Sequence, residues 1–428
     1  MPRKELEKLQ LERLRKTVSY CYEQVPSYRQ KFKNAGLAPT DIKTLEDLAK
    51  IPFTTKTDLR NPNPYSMIAT NLDSVLELHV SSGTTGNPTT CAYTKNDLEV
   101  WSTVMARTYA SAGARKGDTV QNAYGYGLFT GGLGFHYGAL KLGLAVLPIS
   151  AGETERQVRL AKEYGTTILA CTPTYAAHLG EFLREIGKNP REELKWRIGL
   201  FGAEPCSEEL SQRIEDLLGL EAFDVYGLSE IIGPGVSIEC PQHNGLHIFE
   251  DHFLAEVVDP STGETADEGE TGELVLTTLT REATPRLRFR TGDLTTLSRE
   301  KCDCGRTIAR MGHVIGRTDD MLKIRGAKFW PSTVEHALLM VKGASQNYEI
   351  VIDRPEQLDL MILRVEPTKE LYDKIGGDLS RLKGLAEAIS NSIKSFTSVK
   401  ATVELVPCGS LPRFVGKAKR VRDQRKEK

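Results

Sequence analysis

Between about residues 76 and 240, short apolar runs alternate with longer amphipathic stretches, and this alternation limits the possible folds more than any other feature. The apolar runs are LELHV, AVLPI, TTILACT, RIGLFGA and EAFDVYG. The stretches 153–164 and 207–219 have the spacing of amphipathic helices. Such alternation predicts parallel strands that are joined by crossover helices. We therefore expect an α/β fold that is built on parallel-rich sheets.

The sequence pattern changes after residue 245, where short strand-like runs alternate with turns. This predicts a β-rich subdomain at about 240–315, within a large N-terminal domain over 1–318. The remainder, 319–428, predicts a small α+β domain. Its pattern predicts a helix over 331–341, strands near 346–353 and 358–366, a helix over 369–396 and a strand over 400–406.

Overall composition excludes several classes of protein. The 428 residues include 56 Lys+Arg and 57 Asp+Glu, so no global field attracts nucleic acid or an anionic membrane. No apolar run approaches the roughly 18 residues of a membrane span, and the charged N-terminus does not resemble a signal peptide. The eight cysteines then indicate reduced thiols. We expect a cytoplasmic protein with no nucleic-acid or membrane partner.

The strongest local signal is the segment Ser81–Gly86, SSGTTG, which directly follows the apolar run LELHV. Glycine permits close approach of the backbone, and exposed N–H groups and hydroxyls donate to phosphate oxygens. The segment lacks the lysine of a Walker loop. Taken alone, it fits either a phosphate-binding loop or a flexible turn.

Polar clusters follow two of the predicted strands. GAEP (202–205) follows RIGLF, and YGLSE (226–230) follows EAFDV. Open α/β sheets bind ligands at the carboxyl ends of their strands. A tyrosine there can stack on a base, and Glu230 can bind Mg²⁺, which prefers carboxylate oxygens. Each cluster alone is also typical of an ordinary turn, as are TGD (291–293) and GRTDD (316–320).

The ordered set of these motifs carries a family resemblance. SSGTTGNP, GAEP, YGLSE, TGD, GRTDD and the late GK (416–417) resemble the adenylate-forming ligase superfamily. IPFTTKTDLR, AYGYGLFTGG, GLHIFEDHF and LPRFVGKAKR are similar to phenylacetate-CoA ligases, over nearly the whole chain. The resemblance implies a two-step reaction. A carboxylate attacks the α-phosphate of ATP and releases pyrophosphate, and the small domain then rotates so that CoA takes the acyl group.

The resemblance also implies roles for individual residues. Lys417, Glu230 and Thr84 would be catalytic, with Glu230 and Thr84 placing Mg²⁺, and Asp319 would be the hinge. The residues implied to bind ATP are Ser81, Ser82, Gly83, Thr84, Thr85, Gly86, Gly202, Ala203, Glu204, Pro205, Asp224, Tyr226, Gly227, Asp293 and Arg317. The sequence departs from many members at Thr89, where they have lysine.

By the same resemblance, Tyr124, Phe129, Gly131 and Gly132 would line the acyl pocket. Aromatic side chains with adjacent glycines suit a flat ring, because they offer edge and face contacts and leave space. An aromatic acid such as phenylacetate is therefore the expected substrate. The alternative is that Tyr124 and Phe129 are core aromatics.

Two closely spaced cysteines, Cys302 and Cys304, indicate a metal site. Zinc takes four sulfur or imidazole ligands in a tetrahedron, often from two separated loops. Cys240 and His247 complete the predicted set, with His243 or His252 as substitutes for His247. We expect a structural zinc ion; unligated thiols beside a turn are the alternative. The remaining His136, His178, His313 and His336 are interpreted as core or surface residues.

Other functions share part of this pattern. Some relatives adenylylate a deazaflavin coenzyme, and a homologue that only binds its ligand would keep the fold. Lys417 and the intact SSGTTG segment count against a pure binder. The resemblance implies a homodimer, and the amphipathic N-terminal helix predicted up to Pro26 can pack either on a second subunit or on its own domain.

Overall fold

The structure is a computed structural model that describes residues 1–60, 63–80, 89–127, 130–354, 359–412 and 420–426. The described chain divides into two compact units. Met1–Cys206 and Ser211–His313 form the first, and Ser207–Leu210 and Val314–Lys428 form the second. The predicted site residues Ser81 to Gly86, Phe129 and Lys417 lie outside the described residues. The hinge predicted at Asp319 stays a prediction.

The described helices and strands follow one another in a mixed α/β order, which confirms the predicted fold class. The helices are α1 (Arg3–Gln24), α2 (Pro26–Asn34), α3 (Lys56–Leu59), α4 (Lys95–Ser111), α5 (Thr130–Leu142), α6 (Thr154–Tyr164), α7 (Pro173–Glu185), α8 (Pro190–Glu193), α9 (Glu208–Leu218), α10 (Pro331–Leu339), α11 (Lys369–Lys374) and α12 (Lys383–Thr397). The first strands are β1 (Glu77–Val80), β2 (Thr90–Tyr93), β3 (Thr119–Asn122), β4 (Ala145–Leu147), β5 (Ile168–Cys171), β6 (Ile198–Gly202), β7 (Glu221–Leu228), β8 (Gly233–Ile238), β9 (Leu246–Ile248), β10 (Phe253–Val258) and β11 (Gly272–Thr278). The later strands are β12 (Phe289–Thr295), β13 (Leu297–Ser298), β14 (Arg310–Met311), β15 (Gly316–Arg317), β16 (Leu322–Ile324), β17 (Ala327–Phe329), β18 (Ala344–Asp353), β19 (Leu360–Pro367), β20 (Thr402–Leu405) and β21 (Val421–Asp423).

The main sheet of the first unit has the strand order β13-β14-β9-β8-β7-β6-β5-β3-β4. The strands β4, β3, β5, β6 and β7 are parallel, as the alternation of apolar runs predicts. From β7 onwards, the neighbours β8, β9, β14 and β13 are joined by antiparallel pairings. All residues of β5 and β6 are buried, which is why these strands read as continuous apolar runs. β4 and β5 lie on opposite sides of β3, so the chain reverses its direction of winding there.

The run LELHV does not join this parallel sheet, and its prediction as a parallel strand is wrong. β1 pairs antiparallel with β2 instead, with Val80 opposite Thr90. The connection between those two residues is shorter than the dozen or so residues that a parallel crossover needs. The SSGTTG segment falls in this connection.

The apolar face of α1 packs on its own unit, which decides between the two alternatives for this helix. Leu6, Leu14 and Val18 are buried in it. Polar side chains fix its position, since Gln10 donates to the carbonyl of Glu250 at 2.9 Å and Thr17 to that of Leu279 at 3.1 Å.

The second unit contains a sheet in the order β20-β19-β18-β21, whose core includes residues of α10 and α12. The single helix predicted over 369–396 is wrong, because α11 ends at Lys374 and α12 begins at Lys383. Gly376 and Gly377 between them have φ of 68° and 79°, a conformation that ends a helix. Among the described residues, the helices lack the combination of length and apolar character needed to cross a membrane.

Candidate functional site

The predicted site residues of the first unit gather at the carboxyl ends of β3, β6 and β7. Tyr124 follows β3, Gly202 ends β6, and Tyr226 lies in the last part of β7. Gly202 pairs directly with Val225, which brings the GAEP and YGLSE clusters side by side. The reversal of winding beside β3 is where open α/β sheets place their ligand crevice.

Gly202 is required by the close approach of β7. A Cβ atom added to it would lie 2.2 Å from the carbonyl oxygen of Val225. The next residue, Ala203, has φ of 70°, which is costly for a residue with a side chain. The chain therefore turns sharply here and leaves Ala203 and Pro205 exposed.

The same crowding gives a test of the turn. Gly202→Ala is expected to lower the stability of the protein by about 1–3 kcal/mol, because β6 and β7 must separate to admit the methyl group. Thermal or denaturant unfolding measures the loss. Gly131→Ala is the control, since its added Cβ would meet the Tyr124 ring at an ordinary 3.5 Å. Equal stability of the two variants would contradict the close approach.

Tyr124 forms one wall of the expected acyl pocket. Its ring stacks on Phe135 with a centroid distance of 4.7 Å and an interplanar angle of 11°. Its hydroxyl donates to the carbonyl of Gly202 at 3.4 Å, and burial raises its pKa well above the ordinary value. Gly131 borders the ring, whereas Gly132 is packed against the backbone, because a Cβ there would lie 2.5 Å from the carbonyl oxygen of Gly125. Tyr124 is therefore buried, and Gly131 beside it has no side chain to cover the ring.

Glu204 is half-buried at the turn after β6. Its Oε2 accepts a hydrogen bond of 2.6 Å from the Thr174 hydroxyl at the start of α7. Sequence reasoning did not find Thr174. The hydrogen bond fixes the direction of a carboxylate that the resemblance places beside adenine.

Tyr226 and Asp293 meet, although they lie in different sheets. The Tyr226 hydroxyl donates to Oδ2 of Asp293 at 2.7 Å, and Asp293 is buried on β12. Gly227 lies against the next strand, where an added Cβ would be 2.1 Å from the carbonyl oxygen of Gly233. Glu230 is half-buried two residues after β7 ends. Tyr226, Asp293 and Glu230 therefore lie near the carboxyl end of β7.

A buried carboxylate pair surrounds His313, which sequence reasoning interpreted as an ordinary core or surface residue. The imidazole Nδ1 lies 3.2 Å from Oδ2 of Asp224, and Nε2 lies 3.2 Å from Oε1 of Glu239. Hydrogen bonds to both carboxylates raise the pKa of His313 to about 10 against the opposing effect of burial. His313 is therefore a cation at neutral pH.

In the second unit, the predicted residues Arg317 and Asp319 contact each other. The guanidinium Nε of Arg317 donates to Oδ1 of Asp319 at 2.9 Å, and Asp319 is exposed. The carbonyl of Arg317 accepts from the Trp330 indole at 2.7 Å.

The four predicted zinc ligands form one cluster. The ligand atoms of Cys240, His247, Cys302 and Cys304 all lie within 4.8 Å of one another. Cys240 Sγ and Cys302 Sγ are 3.8 Å apart, and Cys304 Sγ is 3.4 Å from Nε2 of His247. A tetrahedron of three sulfurs and one imidazole is a set of ligands that zinc accepts.

The charges around this cluster favour the ligand forms of His247 and Cys304, whereas burial raises the pKa of the Cys240 thiol to about 12. Burial and the nearby cations Arg306 and Arg310 lower the pKa of His247 to about 4, so the imidazole is neutral. Burial opposes ionisation of Cys304, but the backbone and guanidinium of Arg306 lower its pKa to about 7.

The two proposed substitutes for His247 lie elsewhere. His243 pairs with Glu239 and Glu221, at 3.6 and 3.3 Å. His252 lies 2.8 Å from the Thr280 hydroxyl.

Comparison with known proteins agrees with the predicted class. The family model of AMP-binding enzymes matches residues 6–279, and that of the AMP-binding enzyme C-terminal domain matches residues 326–425. The chain therefore belongs to the family of AMP-binding, adenylate-forming enzymes.

Its relatives narrow the class further. The chain is 49% identical to a phenylacetate-coenzyme A ligase of Thermus thermophilus, over 100% of this chain and 98% of that protein. It is 46% identical to that of Pseudomonas putida, over 97% of this chain and 93% of that protein. These relatives make it a phenylacetate-CoA ligase-like member of the family, an AMP-forming acid–thiol ligase whose substrates include ATP and CoA.

Solved structures agree with this placement. A 2-hydroxyisobutyryl-CoA ligase in the postadenylation state, in complex with R3-HIB-AMP, has a TM-score of 0.92 and 31% sequence identity, and covers 100% of this chain and 91% of that one. The predicted rivals, a deazaflavin-adenylylating enzyme and a non-catalytic binder, are not favoured by these comparisons.

Proposed function

We propose that the enzyme activates an aromatic, phenylacetate-like acid as its acyl-adenylate and transfers the acyl group to CoA. The observation that carries the proposal is the 49% identity, over the full chain, to an enzyme named for phenylacetate. The local geometry at Tyr124 supports it. A buried aromatic ring beside Gly131 gives a flat acyl group a face to stack on and space to enter.

The edge of β7 supports a nucleotide site next to this wall. Tyr226 would lie against adenine, and Asp293 would accept from the ribose hydroxyls, because a carboxylate can accept from two at once. Glu230 would hold Mg²⁺, whose charge neutralises phosphate oxygens when it is bound. Its half-buried carboxylate fits a hard cation, while Thr84 lies outside the described residues.

We further propose that Cys240, His247, Cys302 and Cys304 hold a structural zinc ion. Their sulfur and imidazole atoms fit this ion in number and in type. The ion would connect the segment after β8 to the turn between β13 and β14. Arg306 supports the cluster, because its guanidinium donates to Cys304 Sγ at 3.3 Å and to the Ser111 hydroxyl at 3.1 Å.

The identity of the acid substrate is tested with pairs of acids that differ in one property. We expect kcat/KM for phenylacetate to exceed that for cyclohexylacetate by about tenfold, because a puckered ring loses the stacking contact. Pyrophosphate release with saturating ATP and CoA measures both. Gly131→Val should lower the value for phenylacetate far more than that for acetate, because its side chain fills the space beside Tyr124. A preference for 2-hydroxyisobutyrate or cyclohexylacetate would contradict an aromatic substrate.

A homodimer in the cytoplasm completes the proposal, and the resemblance to phenylacetate-CoA ligases supports the dimer. Light scattering coupled to gel filtration measures its mass. A monomer at micromolar concentration would refute this part without affecting the substrate.

A further inference from the structure

His313 contacts two carboxylates, and none of the residue roles proposed above explains why it does so. It is the last residue of the first unit, and its two nitrogens contact carboxylates that belong to different segments. Asp224 lies on β7, and Glu239 directly follows β8. Both carboxylates are buried. A buried carboxylate pair is costly unless a cation lies between its members.

Asp224 occupies a defined place at the nucleotide edge. It precedes Tyr226 by two residues on β7, so the two side chains lie on the same face of the strand. Its charge acts on the Tyr124 hydroxyl together with that of Glu204. Asp224 therefore lies beside Tyr226, which would contact adenine, and its charge reaches the Tyr124 hydroxyl. His313 contacts Oδ2 of Asp224, and a hydrogen bond from the Val225 backbone also acts on this carboxylate.

We propose that His313 is a positioning residue for recognition of the nucleobase, which holds Asp224 ionised and oriented as an acceptor for the 6-amino group of adenine. An ionised carboxylate accepts from an amino group and repels the carbonyl oxygen of a 6-oxo purine. His313 thereby makes the enzyme prefer ATP to ITP, which differs from ATP only at this edge of the base. The inference rests on the proposed nucleotide site along β7.

The electrostatics of the pair explain why a cation is needed. Burial raises the pKa of Asp224 to about 6, even though His313 opposes the rise and the charge of Glu239 adds to it. Without the imidazolium, burial and the charge of Glu239 still raise the pKa of Asp224, and the backbone hydrogen bond of Val225 is left to oppose them. The protonated fraction of the carboxyl at neutral pH would therefore increase. A protonated carboxyl carries an O–H donor, which suits a 6-oxo purine.

His243 offers a matched control. Its Nδ1 lies 3.6 Å from Oε2 of Glu239, whereas His313 lies beside Oε1. Both histidines thus bind the same glutamate, but only His313 reaches the aspartate among the residues that the structure describes. Replacing either histidine removes one partner of Glu239.

The test compares kcat and KM for ATP and ITP in the full-length enzyme, with pyrophosphate release as the readout. For His313→Gln we expect the KM for ATP to rise about tenfold and the ATP/ITP ratio of kcat/KM to fall about tenfold, with kcat at saturating ATP within about twofold of the original. His313→Lys, which keeps the charge, should recover part of the ratio. His243→Gln should leave it unchanged.

Several results would overturn the inference. An unchanged ATP/ITP ratio in a folded His313→Gln variant would show that the imidazole only stabilises the structure. An equal fall in His243→Gln would assign the effect to Glu239. A wild-type enzyme that forms no AMP with any acid would instead refute the proposed function.

A measurement on the wild-type enzyme covers the case in which the variant does not fold. Asp224 faces His313 and Glu239, and Tyr124, Glu204 and His243 are the nearby titratable groups. As the pH falls from 8 to 5.5, Asp224 takes up a proton while His313 stays charged. The ATP/ITP ratio should therefore fall through this range, and a constant ratio would also overturn the inference.

Discussion

Replacing Lys417 with alanine is expected to slow adenylate formation by roughly a hundred- to a thousandfold, the usual effect of losing one group that stabilises developing charge. The attack of a carboxylate on the α-phosphate brings two anions together. A lysine between them offsets the repulsion. Lys417 lies outside the described residues, so its assignment depends on the resemblance of LPRFVGKAKR to phenylacetate-CoA ligases.

The two half-reactions separate this role from a general defect. Adenylate formation is measured as exchange of labelled pyrophosphate into ATP. Thioester formation is measured with the preformed acyl-adenylate and CoA, and we expect Lys417→Ala to retain it. Lys419→Ala is the matched control, because it removes the same charge two residues away. Unchanged exchange in Lys417→Ala, or an equal loss in Lys419→Ala, would contradict the assignment.

Replacing Cys302 with serine is expected to destabilise the first unit by several kcal/mol, since zinc binding at a structural site contributes directly to folding. Cys302 is buried beside Cys240, so its loss would remove one of the four proposed zinc ligands. Removal of the metal from the unchanged protein with a strong chelator should have the same effect. Thermal unfolding measures both.

Metal analysis provides the direct check on this site. We expect about one zinc per chain in the purified protein and less than about half in Cys302→Ser. Cys408→Ser is the control, since Cys408 lies in the second unit and donates to the carbonyl of Pro367 at 3.2 Å. Less than half an equivalent of zinc in the unchanged protein would refute the site.

The central strands of the parallel half of the main sheet, β5 and β6, were predictable from the sequence because they are buried on both faces. β5 and β6 carry only apolar residues and glycine at buried positions, so their position is visible in the sequence itself. The cysteine cluster was predictable for a chemical reason. Few residue types bind zinc, and Cys302 and Cys304 are closely spaced, so the number of combinations was small.

Other features depend on contacts that no local pattern reports. LELHV has the composition of a buried strand, but the short connection to Thr90 decides its partner. His313 and Asp224 are 89 residues apart, and a single histidine between β14 and β15 has no distinguishing spacing. The position of Asp224 on the same strand face as Tyr226 was a usable signal, because a buried carboxylate there needs a cation.

The central claim is that this chain joins an aromatic acid to CoA through an adenylate, and its products test it most directly. With phenylacetate, ATP, Mg²⁺ and CoA, we expect mass spectrometry to show AMP, pyrophosphate and phenylacetyl-CoA in equal amounts. Omission of CoA should leave phenylacetyl-adenylate bound to the protein. AMP formation without any thioester, or transfer of the adenylyl group to another acceptor, would contradict the account.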